Sequence, residues 1–392
     1  MSAPDAPAAA PAEALGQAAV RPTDRPGAGC PKQMHFGPCG GVEFDGTCEV
    51  GEFACVFLET PTVRWPTAEP ALQTALSNAE SARPTAESAL PSSEPLSPAA
   101  AMRALLATRQ IVVADFPARA LDARSLADCA GALAGRVDAA LAGDSGRNRV
   151  QFPPAYRAHL IREAGLAVWT GLNCRDRNRV ALEGELAGLA DAGASAVHCV
   201  TGDHTLTGGR PDAQPVFDLD STELAALARR AGHLVSVGES PCTPPVDRRA
   251  ARLAEKVRAG AEVCFVNHAG GAEPVRRFIG ESHEAGVAPA FVACVPVVLD
   301  RGSAALLRSF TTLVLPEGFL EGILDATDPH RAGLDAATRL CEELLQVEGV
   351  AGVNLSGGAA DGGEVAFAEA MGAVADRLGL GAGSAAAPHP ES

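Results

Sequence analysis

From about residue 101 to 380 the chain alternates short apolar runs with longer amphipathic stretches. The runs are rich in Val, Ala and Leu and end at polar or turn residues, as strands covered on both faces do. They predict strands at Gln110–Ala114, Asp138–Ala142, Ala167–Leu172, Ala196–Val200, Leu234–Gly238, Val263–Val266, Ala290–Val295 and Gly352–Leu355. Helices are predicted between them, for example over Arg177–Asp191, Asp247–Ala259 and Glu273–Ala285. Eight βα units over roughly 280 residues fit a (β/α)8 barrel, whose typical length is about 250. An open doubly wound sheet is the alternative, but no strand leads into a Gly-x-Gly-x-x-Gly turn.

A barrel carries its chemistry at the C-terminal ends of its strands. Those ends read Asp115, Asp144, Asn173, Asp203, Glu239, Asn267 with His268, Pro296, and Asn354 with Ser356. The stretch Ala196–Asp203 is the most developed. An apolar strand ends in Thr201 and Gly202, and Asp203 stands just beyond. The loop His204–Pro215 is longer than a βα connection needs, which points to function. Ser221 is expected to cap the next helix, with Glu223 and Leu224 in its first turn. The basic residues between Arg175 and Arg179 oppose a helix dipole, which favours an anion nearby. Cys199, Cys264 and Cys294 lie within strands and read as core thiols, whereas Cys242 is the barrel cysteine expected to face the site.

Ahead of the barrel the pattern breaks down. Residues 1–25 are Ala/Pro-rich and predict a disordered tail, as do residues 381–392. Residues 61–100 read as a linker. Between tail and linker, in residues 26–60, stand Cys30, Cys39, Cys48 and Cys55, with Gly37, Gly40, Gly41 and Gly46 among them. Glycine lets a backbone wrap tightly and turn its N–H groups toward sulfur. Four thiolates suit a tetrahedral Zn²⁺ or a [4Fe–4S] cluster, and a segment this short needs such a centre to fold. The spacing matches neither a zinc ribbon nor the bacterial ferredoxin run. His35 reads as a surface histidine rather than a fifth ligand.

Composition narrows the function classes. Hydrophobic residues make up 47% of 392 but aromatics only 4%, so the core is aliphatic. A net charge of -16 argues against nucleic acid and anionic membranes as partners. No apolar run approaches the roughly 20 residues that span a bilayer. Eleven cysteines without a recognisable export signal predict a reducing, cytoplasmic setting.

The segments Asn173–Arg179, Thr201–Asp203, Val216–Ser221 and Glu255–Ala261 together resemble the methylenetetrahydrofolate reductase family, over Leu105 to Leu378. The Cys30–Cys55 segment looks like the cysteine-rich module of the reductase C-terminal type. The resemblance implies FAD (alternatively FMN) across the barrel mouth, with folate stacked on it. Asp203 matches the aspartate at the flavin pyrimidine edge, and Lys256 the lysine that reaches the flavin phosphate. Asn173, Arg175, Thr201 and Gly202 would line the same mouth. Asp115 sits where the family has a glutamate thought to act as general acid, and is shorter by roughly 1.5 Å. Asn267 replaces a folate-contacting glutamine, and His268–Gly271 replaces a Pro/Phe-rich wall.

The activity implied is reduction of 5,10-methylenetetrahydrofolate or a related C1-folate, an oxidoreductase reaction on a CH–NH donor in one-carbon metabolism and methionine biosynthesis. Electrons would come from a redox partner protein or NAD(P)H through a [4Fe–4S] centre at the four cysteines, in a homo-oligomer. The alternatives are a flavin and iron–sulfur oxidoreductase acting on another one-carbon substrate, or a non-catalytic binding or electron-transfer subunit with structural zinc.

Overall fold

The computed structural model describes residues 26–66, 96–143, 149–309 and 312–381. The expected tail at 1–25, all but Gly381 of the expected tail at 381–392, most of the linker (67–95) and Asp144 lie outside the described residues. Two short strands, β1 (Thr47–Cys48) and β2 (Gly51–Ala54), form an antiparallel hairpin in the cysteine module. Eight parallel strands then close a barrel: β3 (Ile111–Asp115), β4 (Ala139–Ala142), β5 (Val168–Asn173), β6 (Ala196–Val200), β7 (Val235–Glu239), β8 (Val263–Val266), β9 (Ala290–Pro296) and β10 (Val350–Ser356). Each neighbours the next in sequence, and β10 closes on β3. This is the (β/α)8 architecture that the alternation predicts, each strand within two residues of its expected bounds.

Side-chain parity divides the core into two layers. Residues pointing outward from the strands pack against the surrounding helices in one large cluster that includes Val112, Ala114, Leu172, Val237 and Val353. Residues pointing inward, such as Ile111, Val113, Trp169, Ala196, Val263, Phe265 and Val292, fill the lower barrel. Trp169 and Phe265 meet edge to face at 5.2 Å, and the Trp169 indole N–H donates to Ser236 Oγ at 2.8 Å. Burying Phe265 stabilises by about 1.5–3 kcal/mol. A helix over Pro98–Thr108, capped by Ser97, closes the bottom and sends Met102 into this inner layer. Its first residues fall within the predicted linker, because Ser97-Pro98 is a helix start that the aperiodic stretch before it conceals.

The helix after β6 corrects a detail. It spans Ser221–Arg230, and Asp220, not Ser221, is the cap. The Asp220 carboxylate accepts from Thr222 N and Glu223 N, and the Glu223 carboxylate returns a bond to Asp220 N. The expected helix over Asp247–Ala259 opens as a single 3-10 turn, Val246–Arg248, before Arg249–Ala259.

The cysteine module sits on the barrel rather than apart from it. Met34, Phe36, Val42 and Phe57 form its small buried core. Its loops reach the C-terminal ends of β6 and β7 and the helices that follow them. His35 N and Phe36 N donate to Asp220 Oδ2, Arg249 Nη1 donates to the Cys39 carbonyl at 3.0 Å, and Arg248 bonds the Leu58 and Thr60 carbonyls. Glu255 accepts from Trp65 N, and Thr312 Oγ1 donates to the Gly40 carbonyl. Among the described residues, no helix is long and apolar enough to cross a membrane.

Candidate functional site

The upper layer of the barrel interior changes character. Going up the strands, the inward positions become Asp115 on β3, Gly171 and Asn173 on β5, His198 on β6, Gly238 on β7, Cys294 on β9, and Asn354 and Ser356 on β10. Glycines at 171 and 238 leave room that larger residues would fill. A Cβ on Gly238 would lie 3.7 Å from His198 Nε2. An apolar floor beneath a polar, partly open mouth is the arrangement from which barrel enzymes build sites.

Asp115 is the centre of this layer. Its Oδ1 accepts from Asn354 Nδ2 at 2.9 Å, and its Oδ2 accepts from Ser356 Oγ at 2.8 Å and from Gly357 N at 3.4 Å. Burial raises its pKa above the ordinary carboxylate value, and the three donors only partly offset that. A carboxyl so poised can hold a proton and release it to a basic atom within hydrogen-bond reach. Asn354 Nδ2 also approaches Cys294 Sγ at 3.8 Å, while Asn354 Oδ1 is buried without a hydrogen-bond partner. A ligand N–H would satisfy that acceptor.

Cys294 therefore faces the mouth and is not the core thiol its strand position implies. Cys199 and Cys264 are buried on the outward face, as expected. Burial, with Asp115 adding to it, pushes the Cys294 thiol up to about 12, which leaves it a neutral group. Cys242, the cysteine expected to face the site, turns its thiol to the Ala269 carbonyl. His268 hydrogen-bonds the Cys294 carbonyl and has a pKa lowered to about 4 by burial, so it is neutral, with Nδ1 buried and unpartnered. Asn267, exposed at the end of β8, donates to Ser240 Oγ at 2.8 Å. Asp115 and His268, predicted together at the substrate face, thus meet through Cys294 and Asn354.

His198 is the inward residue that the sequence analysis missed. Its Nδ1 pairs with Ser236 Oγ at 2.9 Å, its ring packs on Phe265, and burial lowers its pKa to about 4. The signal was present as a lone polar residue inside the apolar run Ala196–Val200, in phase with Ala196 on the inner face.

The residues expected to hold a flavin are engaged elsewhere. Asn173 is buried and accepts from Asp176 N. Arg175 is fully buried, clasps Asp176 through Nε and Nη2 at 2.7 Å, and reaches the Asp203 carbonyl. Thr201 is covered by the cysteine module, its Oγ1 against Met34 Sδ, and it accepts from Ser221 N. Lys256 lies between β7 and its helix, with Nζ 2.5 Å from Glu239 and 2.7 Å from the Gly238 carbonyl. Burial lowers its pKa, and Glu239 partly restores it. Gly202 turns at φ +87°. Asp203 alone stands well exposed, at 58%, with Arg149 at 3.5 Å. No cation in this set is free for a flavin phosphate, and these residues do not fit that cofactor as they stand.

The four-cysteine module has a different chemistry. Each sulfur accepts a backbone N–H from two residues on. Lys32 and also Met34 donate to Cys30, Gly41 to Cys39, Val50 to Cys48, and Phe57 to Cys55. That repeated turn aims N–H dipoles at sulfur and favours the thiolate. Burial is the main effect that raises the pKa of Cys30, Cys48 and Cys55, and the neighbouring Cys39 sulfur adds to it in each. Among the described residues, no group of three or more His, Cys, Asp or Glu stands close enough to hold an ion in the present rotamers. The donor set fits a four-thiolate metal or cluster site. His35 stays outside it, half-buried and stacked on Phe36.

The module also touches the mouth through charges. Lys32, 3% exposed, pairs with Glu49 at 2.6 Å, and Glu49 accepts from His204 N at 2.8 Å at the start of the long β6 loop. A Cβ on Gly41 would lie 1.8 Å from Glu49 Oε2, so only glycine admits this carboxylate. Burial opposes the Lys32 charge, but Cys39, Glu49 and Asp203 outweigh it and raise its pKa.

Residues 23–65 match the family described as methylene-tetrahydrofolate reductase C terminal. No curated protein matches. Among solved structures, the chain is similar to an uncharacterized protein from Clostridium thermocellum that binds two copies of 5-methyl-5,6,7,8-tetrahydrofolic acid. The identity is 13% and the TM-score 0.51, over 71% of this chain and 98% of that one. It is similar at TM-score 0.41 and 13% identity to 2,3-dimethylmalate lyase, a PEP mutase/isocitrate lyase superfamily member, over 67% and 81% of the two chains. The N-terminal module thus carries the methylene-tetrahydrofolate reductase C-terminal signature, on a (β/α)8 barrel whose likeness to the Clostridium thermocellum structure is one of fold alone.

Proposed function

We propose that this chain is a one-carbon enzyme that takes a reduced folate in the barrel mouth and uses Asp115 as its proton donor. The observation that carries the reading is the Asp115–Asn354–Ser356 cluster, a carboxyl of raised pKa fixed on three sides at the end of β3. The family match at residues 23–65 and the folate bound by the Clostridium thermocellum barrel support the substrate class. In the specific form, 5,10-methylenetetrahydrofolate or a related C1-folate is reduced. Asp115 delivers its proton to the folate nitrogen as the methylene–nitrogen bond opens, and the methylene carbon takes a hydride equivalent, two electrons and a proton, from NAD(P)H or a reduced redox partner protein, which is thereby oxidised. Asn354 and Ser356 hold the carboxyl oriented, and the unpartnered Asn354 Oδ1 receives a ligand N–H. Cys30, Cys39, Cys48 and Cys55 would hold a [4Fe–4S] cluster, which supplies one-electron transfer, or Zn²⁺, which supplies a structural cross-link.

A second reading is a folate-binding subunit that serves a catalytic partner. The burial of Thr201 and Lys256, the positions expected to meet a flavin, favours it. Titrating the anaerobically purified full chain with 5-methyltetrahydrofolate and 5,10-methylenetetrahydrofolate tests both. Saturable binding that Asp115→Asn weakens at least tenfold supports a folate site at the mouth. Turnover with a chemical reductant separates enzyme from subunit. Absence of any saturable folate binding ends both readings.

A further inference from the structure

One wall of the mouth carries a hydrogen-bond donor whose direction the barrel fixes. His198 points inward from β6, in register with Gly171 of β5 and Ser236 of β7. Trp169, which can only donate, gives its indole N–H to Ser236 Oγ at 2.8 Å. Ser236 then has one hydrogen of its own to place. His198 Nδ1 lies 2.9 Å from that Oγ, whereas the Val197 carbonyl lies 3.4 Å away, long for a hydroxyl donor. The hydroxyl therefore turns to Nδ1, and the imidazole proton stands on Nε2.

That second nitrogen is not spent on the protein. Among the described residues, none takes a hydrogen bond from His198 Nε2. The nearby Gly238 carbonyl already receives Lys256 Nζ at 2.7 Å. Residue 238 has no side chain to cover the ring edge, since even a Cβ there would lie only 3.7 Å from Nε2. The ring lies inside the barrel yet is only partly buried, so it is reached from the open mouth. Burial, with the Lys256 charge adding to it, holds the His198 pKa down to about 4, so the imidazole is neutral. A neutral N–H suits a neutral acceptor such as a ring carbonyl rather than an anion. Three strands separate β6 from β10 on either side, which sets His198 across the mouth from Asn354 and its unpartnered Oδ1.

We propose that His198 Nε2–H binds the ring carbonyl of the folate's pterin, while Asn354 Oδ1 on the opposite wall receives one of its N–H groups. A donor facing an acceptor across the mouth selects a neutral ring that carries both, and orients it. This rests on the reading of the mouth as a folate site.

The test uses the full chain, purified anaerobically, with 5-methyltetrahydrofolate and its analogue carrying an amino group in place of the ring carbonyl. Wild type is expected to bind the analogue about tenfold more weakly, because a donor then meets a donor. His198→Asn keeps an amide near the Nδ1 position for Ser236 and loses the donor at Nε2. It should lose about fivefold in affinity for the parent folate, and most of the preference over the analogue. His198→Gln sets an amide near the Nε2 position and should restore both. Wild-type affinity and wild-type preference in His198→Asn overturn the proposal. If a variant does not fold, the nitrogen-15 spectrum of the wild-type imidazole rings decides. The His198 proton is expected on Nε2, with its signal moving as folate saturates the chain. A proton on Nδ1, or an unmoved signal at saturation, overturns the proposal while leaving the folate site in place. A wild-type chain that binds no folate is a separate failure, which ends the folate reading and this proposal with it.

Discussion

Asn354 acts on Asp115 directly, whereas His198 is set by its own burial, and each change has a sign that can be measured. Asn354 donates to Asp115 and so lowers the pKa that burial raises. Asn354→Ala should move the Asp115 titration further up, read as a shift of the acidic limb of folate binding or turnover to higher pH. An unchanged limb would show that Asp115 is not the group being titrated. His198 has its folded pKa lowered from 6.5 to about 4. Below about pH 6.5 the unfolded chain gains a proton on this residue that the folded chain refuses. Stability therefore falls as pH drops from 6.5 toward 4, by on the order of 2 kcal/mol from this residue. His268 adds a similar slope. Urea midpoints at pH 7 and 4.5 for wild type and His198→Asn should differ in slope by that increment, and equal slopes would mean that His198 is hydrated in the fold.

At the scale of elements, the start of the Ser221–Arg230 helix joins barrel and module. One carboxylate, Asp220, caps the helix, receives the backbone N–H of His35 and Phe36, and faces Arg252. Burial alone would raise its pKa, but Arg252 and the N–H donors outweigh burial and lower it. A carboxyl with a depressed folded pKa gives its full stabilisation above its unfolded value near 3.8 and loses it as pH falls through the folded value. Asp220→Ala removes the cap and leaves Arg252 without its carboxylate, a loss of about 3 kcal/mol. Thermal denaturation should register it, together with faster proteolysis inside residues 26–66. A variant with intact module protection would separate the cap from the docking contacts.

At the scale of the whole molecule, the barrel is a folded scaffold with its own core, and the module a small cap whose interior is four residues deep. Removing a bound metal should therefore melt the module and spare the barrel. Chelation is expected to leave far-UV circular dichroism nearly unchanged while the four thiols become reactive and residues 26–66 become protease-sensitive. Simultaneous loss of barrel signal would mean that the two fold as one unit. The sequence by itself determined the barrel, because strand and helix periodicities are local and each turn of the alternation repeats them. It also exposed the strand-end position of Asp115 and the four cysteines, which are set apart by composition. Tertiary structure decided the rest. Lys256 reads as free in one dimension but is neutralised by Glu239, 17 positions before it, and Thr201 is covered by Met34, 167 positions away. Cys294 and His198 were assigned to the mouth by strand register. Accessibility and charge balance are sums over neighbours brought together by folding, and local patterning does not contain them.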